Sequence, residues 1–150
     1  MDYSALAEQV RGLGAYKAGV VDLQDVRFDR AFRAMCETNA CGNYGKCWMC
    51  PPDAGDIDAL MNEAKSYQKA LVYQTVGTLE DSYDFEGMME AARLFPAKAS
   101  NEPCRHPEQA MASLEAYGVN VSELASASGM KYINGQNTVT YFGALLFCEA

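Results

Sequence analysis

Residues 36–52, CETNACGNYGKCWMCPP, carry four of the chain's six cysteines, Cys36, Cys41, Cys47 and Cys50. Gly42, Gly45, Pro51, Pro52 and Gly55 punctuate the stretch, so residues 36–55 read as an irregular loop between two periodic segments. Glycines let a backbone turn tightly around an inorganic centre, and the N–H groups freed by such turns can hydrogen-bond its sulfurs. The loop is therefore the candidate site, and the flanking periodicity sets the fold.

Upstream, Leu6, Val10 and Leu13 fall on one helical face that Gly14 ends, and Ala15 to Leu23 reads as a strand. Phe28, Ala31, Phe32 and Met35 then recur at helical spacing behind the cap candidate Asp29, and that helix runs into Cys36. Downstream, Asp56 is placed to cap a helix bearing Ile57, Leu60, Met61 and Ala64, followed by a strand from Ala70 to Val76. Ser82 and the stripe Phe85, Met88, Met89 and Ala92 predict a further helix ending near Pro96. Pro107 opens another, with Met111 and Leu114 inward and Gly118 closing it. Asn120 and Glu123 have the spacing of a capping box for a short helix that Gly129 ends. Asn134-Gly135 is a turn pair before a last strand, Thr138 to Phe147, and Cys148 at its end reads as a buried structural residue.

These elements fit an α/β or α+β fold: a small sheet of about three main strands covered by helices, with the irregular cysteine-rich loop. Strand order is not legible. With 150 residues, 49% hydrophobic and 21% charged, the chain has the size of a single metal-binding domain over 1–150. A chain of this length can bury roughly 70% of its unfolded surface, so it needs no disulfide staples.

Twenty acidic against twelve basic side chains leave a formal charge of −8, with the basic residues scattered. Nucleic-acid and anionic-membrane binding are disfavoured, since both require a cationic patch. The first residues carry early acid and no apolar core segment, which predicts no signal peptide and a cytoplasmic protein. In a reducing compartment six thiols persist as ligands, nucleophiles or core residues.

Within the loop the gaps between cysteines are four, five and two residues. Structural zinc sites pair two short knuckles, and only Cys47-x-x-Cys50 has that form. Cys50-Pro51 is akin to the cysteine-proline ending of bacterial ferredoxin motifs, although the preceding spacing differs. The plain alternative is four reduced thiols packed in a loop. A second focus is Pro103 to Pro107, PCRHP. Cys104 precedes a predicted helix N-terminus, which favours a thiolate and hence a metal ligand. Arg105 is a candidate contact to a bound cofactor, and His106, the lone histidine, reads as a capping or hydrogen-bonding group.

Taken together, Phe28-Asp29, the C-x4-CGNYGKCWMCPP run, PCRHP, residues 113–118 (SLEAYG) and residues 137–143 (NTVTYFG) resemble one family. It is the bacterial and archaeal domain of unknown function described as a predicted metal-binding protein, and the likeness runs from about Asp25 to Phe147. The resemblance implies metal binding without naming a reaction. It also implies a further Cys-x-x-Cys-x-x-Cys run before CRHP, where this chain has only the short segment FPAKASNEP from Phe95 to Pro103.

Three functions follow as expectations. The first is an iron–sulfur protein with one four-iron cluster, an electron carrier or accessory to an anaerobic redox enzyme that docks on a redox-partner protein. Cys36, Cys41 and Cys50 would be ligands, Cys47 or Cys104 would complete the set, and Tyr44 and Trp48 would shield the cluster. The second is a structural zinc module, closed by Cys36, Cys41, Cys47 and Cys50, whose work is protein interaction. The third is a cysteine-dependent enzyme in which Arg105 or His106 activates Cys104.

Overall fold

The computed structural model describes residues 1–92 and 111–149, which divide into two compact units, one of residues 1–26, 67–92 and 121–149 and one of residues 27–66 and 111–120. The first is built on a three-stranded antiparallel sheet in the order β1-β2-β3, with β1 Lys17–Asp22, β2 Lys69–Thr78 and β3 Thr138–Phe147. β3 spans the predicted residues, and the antiparallel pairing makes the fold α+β. β2 is central because its run Ala70, Leu71 and Val72 can be covered on both faces; Val72 is fully buried.

Helix α1 (Tyr3–Gly12), capped by the Asp2 carboxylate accepting from the Ser4 and Ala5 N–H groups at 3.0 and 3.1 Å, packs against β1. The expected α1 stripe holds only in part. Ala7 is the buried residue, whereas Leu13 is 89% exposed, because the helix has ended before it. Helix α4 (Phe85–Ala92) begins at Asp84, whose side chain accepts from Gly87 N at 2.8 Å, two residues later than the Ser82 start predicted. It lies against β2 and β3, where the Tyr141 hydroxyl donates to Met88 O at 2.7 Å. Helix α5 (Val121–Ala127) buries Val121, Leu124 and Ala125 and ends at Gly129 with φ 69°. The Tyr73 ring covers Gly143, its cross-strand partner: a Cβ there would come within 2.4 Å of the ring.

The second unit joins α2 (Arg30–Glu37), α3 (Ile57–Lys65) and a 3-10 turn, Leu114–Tyr117. α3 follows the prediction: Asp56 accepts from Asp58 N and Ala59 N, both at 3.0 Å, and Met61 and Ala64 are buried. The expected α2 stripe is corrected. Met35 is 65% exposed and the buried side chain is Arg33, because α2 packs on backbone carbonyls that accept from a guanidinium, a partnership hydrophobic spacing cannot register. The expected Pro107 helix is corrected where it is described: Met111 lies outside any helix and is 67% exposed, and only the 3-10 turn forms, capped by Ser113; Pro107 itself lies outside the described residues. Cys148, expected to be buried, is exposed because it lies one residue past the end of β3.

Gly118 closes the 3-10 turn at φ 74°, with its carbonyl accepting from Asp29 N at 2.7 Å. A Cβ there would stand 2.9 Å from Asp29 O and 3.3 Å from Met61 Sδ. Gly118→Ala should therefore lower unfolding stability by about 2 kcal/mol or more, from the left-handed backbone and the clash together; a urea midpoint equal to wild type would contradict this. Val72→Ala should cost about 2 kcal/mol in the same assay, for two buried methylene equivalents and the space left behind. The Asp29 carboxyl is held below the ordinary aspartate range, first by the Ala31 N–H and then by Arg27, which donates at 2.9 Å. Its stabilisation is complete above the ordinary value and is lost as pH falls through the lowered one. Asp29→Asn keeps a capping oxygen without the charge, so its stability should fall less steeply below about pH 4; parallel acid-unfolding curves would refute the assignment.

Candidate metal centre

The cysteine loop lies wholly in the second unit. Cys36 occupies the last turn of α2, and the chain then reverses at Asn39 (φ 54°), Gly42 (φ 78°) and Gly45 (φ 68°). These left-handed residues supply the turns inferred from the glycine pattern. Gly42 N donates to Asn39 O at 3.0 Å, and Tyr44 N to Asn39 Oδ1 at 3.0 Å, so one asparagine organises the Cys41 bend by backbone and side chain. Gly45 N donates to Pro51 O at 2.9 Å and pinches residues 46–50 into a small closed turn. Inside it Cys50 N donates to Cys47 O at 3.1 Å. Ala54 N donates to Cys50 O at 2.9 Å, and Ser113 N to Met49 O at 3.1 Å, which fasten the turn to its surroundings.

The four thiols, none of them in a disulfide, share one neighbourhood. Cys47 is buried, Cys36 and Cys50 are half-buried and Cys41 is exposed. Burial, then the Cys47 sulfur through its charge and a hydrogen bond, then Cys41 and Cys36, push the Cys50 thiol up to about 12. Burial, the negative Glu115 and the Cys41 sulfur push Cys36 up in turn, while Arg33 pulls it down. The Cys36 and Cys50 thiols are thus disfavoured as anions until a cation joins them. Among the described residues no three histidine, cysteine or acidic side chains stand ready-made around a single ion. The donor chemistry, four unbridged sulfurs within one another's field, suits a thiophilic metal or cluster.

Tyr44 and Trp48 are half-buried on the same loop. Cys104, Arg105 and His106 lie outside the described residues. Two charged residues near the thiols had no place in the sequence reading. Arg33 donates Nη1 to Ala116 O at 2.9 Å and Nη2 to Gly55 O at 2.7 Å, and Glu115 belongs to the 3-10 turn. For Arg33 the available signal was its position, one helical turn before Cys36. Glu115 lies in the SLEAYG stretch that carries the family resemblance, but nothing in that stretch placed it beside Cys36, because its proximity comes from distant parts of the chain meeting. No helix among the described residues is long and apolar enough to cross a membrane.

No curated protein and no solved structure matches the chain. A family comparison matches it in two pieces, residues 19–101 and 96–147, which meet in the short segment before Cys104. Spanning nearly the whole sequence and including all four loop cysteines, this match establishes that the chain belongs to the family described as predicted metal-binding protein (DUF2284).

Proposed function

We propose that the loop holds an iron–sulfur cluster and that the protein works as an electron carrier, or as an accessory to a redox enzyme. The observation that carries this reading is the environment of Cys50, whose thiol has the sulfurs of Cys47, Cys41 and Cys36 as its charged neighbours. Membership of a metal-binding family supports a metal at such a thiol cluster. The four-, five- and two-residue gaps favour a cluster over paired zinc knuckles, as does the cysteine-proline ending at Cys50-Pro51.

Cys36, Cys41 and Cys50 are the ligands proposed, with Cys47 or Cys104 completing the set. When bound, such a cluster supplies one-electron transfer at a potential set by its net charge, hydrogen bonds and exposure. The chain's own part is to hold the thiols on a pinched backbone turn, to limit water through the burial of Cys47, and to place Tyr44 and Trp48 beside the site. Its net charge of −8 suits docking on a basic partner protein.

Anaerobic isolation with iron and acid-labile sulfide analysis tests the reading. The expected product is brown, with broad absorbance at about 400 nm and iron and sulfide in equal amounts. Cys50→Ser and Cys36→Ser should lose most of both, while Cys148→Ser should load like wild type. A colourless protein holding one zinc per chain would replace the cluster with the structural zinc module.

A further inference from the structure

Arg33 is a charged side chain that the fold takes into its interior, only 9% exposed. Burying a guanidinium is unfavourable unless hydrogen bonds and a counter-charge compensate. The hydrogen bonds are present, to Gly55 O at 2.7 Å and Ala116 O at 2.9 Å. The counter-charge is not a carboxylate: among the described residues none forms an ion pair with Arg33. Cys36, the first thiol of the loop, stands one turn on along the same helix.

The two carbonyls identify what the fork connects. Gly55 follows Cys50 by five residues, at the exit of the cysteine loop, where φ is 104°. Ala116 sits in the 3-10 turn and is fully buried. Arg33 thus ties the helix bearing Cys36 to the strand of chain leaving Cys50 and to the turn bearing Glu115. A planar guanidinium with fixed donor directions can bridge two carbonyls in this way, whereas an ammonium cannot hold the same geometry.

Building on the cluster reading above, we propose that Arg33 is the positioning residue of the metal centre: it locks Cys36 against the Cys50 side of the loop and supplies the buried positive charge that balances the metal-bound thiolates. The charge has a consequence that packing alone lacks. A cation beside a cluster favours its reduced, more negative state, so removing it should lower the midpoint potential.

The test compares the full-length wild type with Arg33→Lys and Arg33→Gln, each loaded anaerobically with iron and sulfide. Readouts are the midpoint potential by spectroscopic titration, the rate of iron loss to a chelator, and the melting temperature before loading. Arg33→Gln should have a more negative potential than wild type, and Arg33→Lys, which keeps the charge, a potential close to it. Both should retain metal about 10- to 100-fold less well, the usual effect of losing a group that orients ligands. Wild-type potential and iron retention in Arg33→Gln would overturn the proposal, as would a lowered melting temperature with an unchanged potential. Should Arg33→Gln fail to fold, the wild type decides: loading with the paramagnetic cluster should displace the Arg33 side-chain NMR signal, and an unmoved signal would overturn the assignment. If the wild type takes up neither iron nor sulfide, it is the cluster reading that fails.

Discussion

Crowding four ionisable sulfurs into one loop is electrostatically uphill, since each thiolate raises the cost of ionising the next. Cys50 registers that cost most strongly, with its thiol held to about 12 by burial and by three neighbouring sulfurs. A protein that only needed apolar filling would have no reason to gather sulfurs this way; a bound cation adds to each thiolate an attraction that outweighs these penalties. The rest of the second unit reads as support for that crowding. The turns at Asn39, Gly42 and Gly45 reverse the chain between Cys36 and Cys47, and the Gly45–Pro51 hydrogen bond keeps the Cys47 and Cys50 bend closed.

The fold divides its labour accordingly. The sheet unit obtains its stability from ordinary sources: β2 between two partners, aliphatic burial at Leu71 and Val72, and an aromatic ring over Gly143. In the cysteine unit several of the ties are polar. Asp29 and Asp56 cap its helices, an ion pair joins Arg30 to Asp58, and Arg33 crosses between three segments. Polar ties of this kind are directional, so they fix the course of the cysteine loop in a way that apolar packing does not.

A thiolate centre with a buried arginine beside it also differs from a plain structural zinc knuckle in what it can tune. Four thiolates on one divalent ion leave a net negative charge, and a guanidinium would merely offset it. At a redox-active centre the same charge sets which oxidation state is favoured. Glu115, which pushes the Cys36 thiol up while Arg33 pulls it down, acts in the opposite direction, so at a centre of the kind proposed the two residues would bracket the potential.

Much of this was legible before any coordinates, because it depends on neighbours in the chain. The caps Asp29 and Asp56, the buried pair Met61 and Ala64, the strand Thr138 to Phe147 and the turns of the cysteine loop all follow from local periodicity, side-chain hydrogen bonding and glycine's access to positive φ. Family likeness could be read from the CGNYGKCWMCPP run, since such motifs are contiguous. What stayed hidden depends on segments far apart in sequence. The strand order, the inward turn of Arg33 in place of Met35, the single 3-10 turn beyond Met111, the exposure of Cys148 and the approach of Glu115 to Cys36 are outcomes of packing. Hydrophobic spacing proposes a face for each helix, but carbonyls contributed by distant segments selected the one that α2 buries, and only folding brings those carbonyls within reach.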